Sequence, residues 1–398
     1  MSNTYQISPS SCKGMTVACV VGFVFAFRVC LTFLFFQSAP ITGAAVTVAL
    51  SVLLLLAALG SWAASSPPRE GRERHSRTIA WIWLYLLLAA VSLSWTTTHS
   101  IVNAAAYWLG LAADVMTVVL MVWHGPAYEK ATGIMKGYVV GAVALAIVAW
   151  CTPTMEDLRL GHEDFLHPNA IGYAFALAAL FAVFLSRQSR VWVWTGMGLG
   201  ITLLRTLSKA SIIAFLAAMV LYMLSDSKMR RRSKVRIGVA VAVVLALSWS
   251  LLENYVDLYT QGTQAETLTG RTIIWAQAYD TAWEKPWLGH GFYSFRWVVP
   301  LFGDFEAWQA HNELLQQFFA YGVAGVAVVI ILYLNLYRDL RSARGAPQQV
   351  LGSALLLFAV VRGLVDTERF DLTYPLWLMA MMSIWLSHTP TPASRQYE

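Results

Sequence analysis

Runs of about 20 apolar residues recur twelve times along this 398-residue chain, each long enough to cross the roughly 30 Å hydrocarbon core of a bilayer as a helix. They lie near 15–36, 40–64, 79–95, 101–123, 134–152, 168–187, 191–207, 209–225, 235–252, 311–335, 348–366 and 373–388. In lipid a spanning backbone must satisfy its own hydrogen bonds, so only helices or closed barrels are available. These runs are continuous rather than alternating, which excludes a barrel. The chain therefore reads as an all-α polytopic membrane protein with about twelve transmembrane helices. Its 58% hydrophobic and 13% charged residues contrast with roughly 25% charged residues in soluble domains. A soluble enzyme, a disordered chain and a disulfide scaffold are excluded. The first run follows a short polar leader without a small-residue cleavage site, so it reads as a retained helix rather than a signal peptide.

The net charge of +6 would suit nucleic acid if it were clustered on a soluble face, but here it follows the membrane. With the N-terminus inside, alternate loops collect Lys13; Arg69, Arg72, Arg74 and Arg77; Lys130 and Lys136; Arg187 and Arg190; the 228–236 cluster; Arg338, Arg341 and Arg344; and Arg395. The positive-inside rule then places both termini in the cytoplasm. The Arg-rich loop at 228–236 reads as an anchor on anionic membrane lipids. One large hydrophilic segment, 253–310, falls outside and divides the chain into spans one to nine (1–252), an outer loop, and spans ten to twelve with a tail (311–398).

The remaining cations are Arg28, Arg159, Arg205, Lys209, Arg271, Lys285, Arg296, Arg362 and Arg369. Arg28 is mid-span and needs a partner, for which Asp114 is a candidate. Arg362 and Asp366 are four apart, as in a local ion pair. Arg159, Lys285, Arg296 and Arg369 sit in outer loops, where solvation is the default. Arg271 precedes an amphipathic stretch, Thr272–Trp283, with Thr269 or Gly270 as its N-cap, so guanidinium, helix dipole and free N–H groups converge there on a site for an anion. Read alone, it is more simply a solvated Arg at a loop–helix junction. Arg205 and Lys209 lie four apart at the bend between two spans. They are snorkelled cations or two sides of a shared anion site.

Imidazoles complete the inventory. His311 opens the tenth span beside Asn312 and Glu313, where polar groups are costly unless they face an aqueous cavity. A histidine there is a structural hydrogen-bonder or a base working near neutral pH. His290 lies in Pro286-Trp287-Leu288-Gly289-His290-Gly291, a tight turn or a substrate contact. His167-Pro168-Asn169 opens the sixth span as a helix start or as part of a cavity lining. No His/Cys cluster has metal spacing. Cations with one base and no metal suit departure of a pyrophosphate under attack by a hydroxyl. A twelve-span transporter or flippase is the alternative of another class; it needs no long outer loop and usually shows matching halves.

Taken in order, His167-Pro168-Asn169, Ser208-Lys209, Leu268-Thr269-Gly270-Arg271, Pro286–Gly291 and His311-Asn312 resemble the O-antigen ligase and Wzy-type polymerase superfamily, which includes ExoQ-like exopolysaccharide polymerases. The likeness is concentrated in 165–335. It implies a GT-C-like membrane glycosyltransferase of the bacterial inner membrane with a large periplasmic loop that contains short helices. The implied donor is a glycan on undecaprenyl pyrophosphate, with no metal and no cofactor. The acceptor is a second lipid-linked glycan for a polymerase, or lipid A–core for a ligase; no nucleic acid is involved. The implied catalytic pair is His311 and Arg271. The implied pyrophosphate contacts are Arg271 with Arg205 or Lys209, where the family's Ser-Arg reads Ser208-Lys209. His167, Asn169, His290, Asn312 and Glu313 are the remaining candidates for the substrate lining. The Leu-Thr-Gly-Arg-Thr wording leans the reading toward a polymerase.

Overall fold

A computed structural model describes residues 16–29, 40–63, 76–124, 126–155, 158–162, 166–227, 230–232, 234–235, 238–239, 268–300 and 307–388. Helices α1 (Thr16–Val29), α2 (Pro40–Ala63), α3 (Arg77–Ser92), α4 (Ile101–Trp123), α5 (Ala127–Cys151), α6 (Pro168–Leu185), α7 (Val191–Arg205) and α8 (Lys209–Ser225) precede the outer segment. That segment carries α9 (Leu268–Ala282) and the short α10 (Phe295–Val298). It is followed by α11 (Glu313–Ser342), α12 (Pro347–Gly363) and α13 (Leu376–Ser387). Among the described residues there is no strand, only an isolated bridge between His162 and Leu166.

Eleven of the twelve expected spans carry one of these helices. The ninth, 235–252, falls almost wholly outside the described residues, as does 253–267. Five helices are long and apolar enough to cross a membrane by length and composition: Thr42–Ala63, Ile101–Trp123, Ala127–Cys151, Pro168–Leu185 and Glu313–Ser342. This is an all-α polytopic membrane protein. Two boundaries differ most from expectation. The fifth helix starts at Ala127 rather than 134, because nothing between Pro126 and Gly133 breaks it, and Lys130 is buried in its first turns. The eleventh helix runs to Ser342 rather than 335, and the chain reverses only at Gly345, with φ +84°.

α6 is the hub. Its apolar window is 83% buried, against 28% for α2. Its Ala-rich sequence lets α5, α7 and α8 pack on it from several sides, while α2 leans on α4 and leaves the rest of its surface for lipid. α1 and α5 cross almost backbone to backbone. A Cβ at Gly141 would stand 2.5 Å from Phe23 O, and Gly137 and Gly141 supply the small residues at a spacing of four that membrane helices use for close approach.

α11 is broken at Gly322, with φ 63° and ψ −156°. Pro286–Gly291 repairs the break. His290 N–H donates to Phe319 O (2.9 Å), Gly291 N–H to Ala320 O (2.8 Å), and Val323 N–H to Pro286 O (2.8 Å). These are groups that an unbroken helix would pair internally. A Cβ on Gly322 would lie 2.5 Å from Pro286 O, so the kink and the loop require each other. The end of α3 clasps the same loop through Thr97 N–H to His290 O (3.0 Å) and Ser92 Oγ, which accepts from Phe292 N–H (3.0 Å).

Candidate active site

The segment that follows α10 turns inward at His311, whose φ of 49° is unusual for a residue with a side chain. Asn312 then starts α11. Its Oδ1 accepts from Leu315 N–H (3.0 Å), and its Nδ2 donates to Leu364 O (2.9 Å) just past α12. That second bond brings the start of α11 against the turn after α12 and sets His311 Nδ1 3.0 Å from Asp366 Oδ1. Asp366 is 1% exposed and bonds Arg362 Nη2 at 3.1 Å. Arg362 also pairs with Glu368 at 2.8 Å and stacks 4.3 Å over Tyr173. Burial alone would raise the Asp366 carboxyl, but Arg362, the His311 hydrogen bond and the charge of Arg271 together hold it well below the usual carboxylate range. An ionised carboxylate only accepts, so His311 donates to it from Nδ1–H, which leaves Nε2 as the other ring nitrogen.

His311 and Asp366 lie on the wall of a cavity of about 530 Å³, bounded by α1, α2, α4, α5, α6, α9, α12, α13, the turn before α11 and the turn after α12. Arg271, His167 and Asn169 line the same cavity. Arg271 is aimed there by its helix. Ile274, Ala278 and Ala282 follow it at +3, +7 and +11 and are buried against Phe295 and Phe319, so Arg271 shares the inward stripe of α9. Thr269 and Gly270 lie inside α9 rather than capping it, which corrects the expected start of this helix; Arg271 still falls in its first turn.

Three more cations gather at this end. Arg159 was expected in solvent but is 4% exposed: Nη2 donates to Asn169 Oδ1 (2.8 Å) and Nε to Thr206 O (3.2 Å). The loop folds down because Leu160 N–H binds Arg205 O (2.9 Å) at the bend between α7 and α8. Lys209 is exposed at the start of α8 and feels the charges of Arg159 and Arg271. Arg205 packs its guanidinium over Trp150, 5.9 Å from the ring centroid. Neither Lys209 nor Arg205 is part of the cavity wall.

Residues 194–330 match the family model described as O-antigen ligase. That match covers about a third of the chain and includes the outer segment and the first half of α11. The chain is also 28% identical over 172 residues to an O-antigen ligase of Pseudomonas aeruginosa, a match covering 43% of this chain. That match spans only 40% of the length of the curated relative. Arg205, Lys209, Arg271 and His311 lie within the O-antigen ligase segment. Arg159, His167, Asn169, Arg362 and Asp366 lie outside it and reach the same place by folding.

Several candidates do not reach the cavity. His290 is 2% exposed, stacks 4.8 Å from Phe319 and bonds Thr281 O through Nε2 (2.9 Å), so it fastens α9 to α11 and does not touch a substrate space. Glu313 turns inward to Tyr333 Oη (2.9 Å) and Thr373 N–H (2.9 Å). Asn312 is spent on capping. The polar crowding at the head of α11 is thus satisfied by protein rather than by water. Arg296 and Arg369, expected in solvent, stack on Trp308 at 5.3 and 4.3 Å. Lys285 is exposed as expected.

Asp371, on the cavity wall after α12, is pushed up to about 8 by burial, against the pull of hydrogen bonds from the N–H groups of Leu372 (2.7 Å) and Leu376 (3.1 Å). The folded chain therefore holds a proton there that the unfolded chain, with an ordinary carboxylate, has released. This contribution to stability is full below pH about 4 and is lost as pH rises to about 8. The apparent unfolding temperature of Asp371→Asn, relative to wild type, is expected to rise progressively across that window in a scanning-fluorimetry series.

Proposed function

We propose that this chain is a glycosyltransferase of the bacterial inner membrane with its site on the periplasmic side and both termini in the cytoplasm. The donor is a glycan on undecaprenyl pyrophosphate. The observation that carries this reading is the His311–Asp366 contact on the wall of a cavity that also presents Arg271, in a chain with an O-antigen ligase segment. An acceptor sugar hydroxyl gives its proton to His311 Nε2 as its oxygen attacks the anomeric carbon. The bond from that carbon to the pyrophosphate breaks, and the pyrophosphate leaves with the electron pair. Asp366 keeps the imidazole oriented and balances the charge that forms on it. Arg271 takes the charge developing on the leaving group, within the positive field of Lys209 and Arg159.

Ligase and polymerase differ in the acceptor. Both comparisons carry the name O-antigen ligase, which favours lipid A–core; the wording at 268–272 favours a second lipid-linked glycan. A strain lacking the protein separates them. Lipid-linked polymer accumulates if it is a ligase, and single lipid-linked repeats accumulate if it is a polymerase. Glycan crossing a liposome with no bond formed would replace both with a transporter.

Of the three phosphate-contact candidates, Arg271, Arg205 and Lys209, only Arg271 lines the cavity, which supports it as the direct contact. Arg271→Ala is expected to lower the rate of transfer by about 10²-fold, the cost of losing one preorganised charge donor. Lys209→Ala acts only through its field and is expected to stay within about 5-fold, a loss that fades as salt is raised. Initial rates with purified protein and lipid-linked donor read both.

A further inference from the structure

The same cavity also carries a polar pole, an ion pair between α1 and α4 beside aromatic rings of α1, α5 and α13, that the reaction described above does not use. Arg28 on α1 donates from Nη1 to Asp114 Oδ2 on α4 (2.6 Å) and to Ser51 Oγ (3.4 Å). The Arg28 side chain stays partly exposed, with 19% of its surface accessible. Asp114 is 3% exposed, and its Oδ1 is buried and accepts no hydrogen bond. Both residues line the cavity, together with Phe25, Tyr138 and Trp377. These three rings form one aromatic wall: Phe25 lies 4.7 Å and Tyr138 6.0 Å from Trp377.

The geometry points to a sugar-binding subsite at this pole, one that holds an uncharged residue of the glycan away from the reacting carbon. The pole has a donor edge, an orphaned acceptor and no net charge. A hydroxyl is both donor and acceptor, so neighbouring hydroxyls of one sugar can receive from Arg28 and give to the Asp114 carboxylate on the cavity wall. The flat apolar faces of a pyranose suit an aromatic wall with a few convergent polar groups. A pyrophosphate or an acidic sugar would set its charge beside the Asp114 carboxylate. A prenyl chain would leave Oδ1 unpartnered in a buried place, which is costly. The choice of a sugar as the ligand rests on the glycan-transfer reading; the chemistry of the pole does not.

The test is saturation-transfer NMR on the full chain in lipid nanodiscs, with methyl glucopyranoside and methyl glucuronopyranoside as probes. Wild type and His311→Ala are expected to favour the neutral glycoside alike. Asp114→Asn, which keeps the shape but leaves Arg28 unneutralised, is expected to shift the preference toward the glucuronoside by on the order of tenfold. Trp377→Phe, which leaves the charge pair intact, is expected to weaken the neutral probe without changing the preference. No saturation transfer in wild type, a wild-type preference for the acidic probe, or an unchanged preference in Asp114→Asn would overturn the subsite. Loss of probe preference in His311→Ala would move the binding to the other pole and overturn it as well. No bond is made in this experiment, so its failure is separate from a failure of the transfer reading, which a transfer assay of His311→Ala decides.

Discussion

His311→Ala is expected to reduce glycan transfer by about 10³-fold, within the 10²–10⁴-fold that a positioned general base supplies. Its Nδ1 is committed to Asp366 at 3.0 Å, so the cavity side of the ring offers one basic nitrogen and the variant offers none. The fold is expected to survive. Asp366 keeps its pair with Arg362, and only a partly exposed ring is removed. A second variant separates chemistry from folding more sharply. His311 has φ 49°, a region that glycine enters without the strain of a Cβ. His311→Gly is expected to be as inactive as His311→Ala while unfolding at the same or a higher temperature. Transfer rates with lipid-linked donor and thermal unfolding in nanodiscs are the two measurements. Near-normal transfer in either variant would remove His311 from the mechanism.

Asp366→Asn is expected to cost transfer nearly as much, about 10²–10³-fold, and also to destabilise the chain. The amide keeps the size of the side chain but loses the charge that fixes the proton on Nδ1 and offsets the imidazolium during proton transfer. It also leaves Arg362 short of a partner at 1% exposure. Breaking a buried pair costs about 3–5 kcal/mol; here Glu368, bonded to Arg362 at 2.8 Å, offsets part of that loss. Glu368→Gln is the matched control. It weakens the same guanidinium pairing without touching His311, so it is expected to lower the unfolding temperature and leave the transfer rate within a few-fold. Equal losses of transfer in the two variants would mean that the pairing, and not the orientation of His311, matters.

Membrane segments were the most legible part of the sequence, because a single requirement, about 20 apolar residues per crossing, writes itself along the chain. The pairs Arg28–Asp114 and Arg362–Asp366 followed from the same physics, since a charge in a span needs a partner and few are on offer. His311 stood out as a polar group placed where water is scarce, and Arg271 as a cation at the start of a helix. What stayed hidden depended on three-dimensional closure. Asp366 looked fully explained by Arg362 four residues earlier, and no spacing along the chain tells that its other oxygen faces His311 across 55 residues. Arg159 looked like any loop cation until Leu160 tied its loop to Arg205. His290 and Glu313 misled in the opposite sense. Their polarity answered to local protein groups, a broken helix and a neighbouring Tyr, and not to a substrate.

The break in α11 has a mechanical meaning. A bare glycine kink swings, because nothing is lost when its two rods change angle. Here three backbone bonds from Pro286–Gly291 cross the break, and straightening the helix would strand them at about 0.5–1.5 kcal/mol each. The joint is an elbow set in a cast rather than a hinge. The upper rod begins at His311's neighbour and is referenced to the outer loop and to the end of α3, while the lower rod is referenced to the bundle. The angle between the two rods is therefore fixed by these bonds, and the rod that starts beside His311 is held in register with the outer loop.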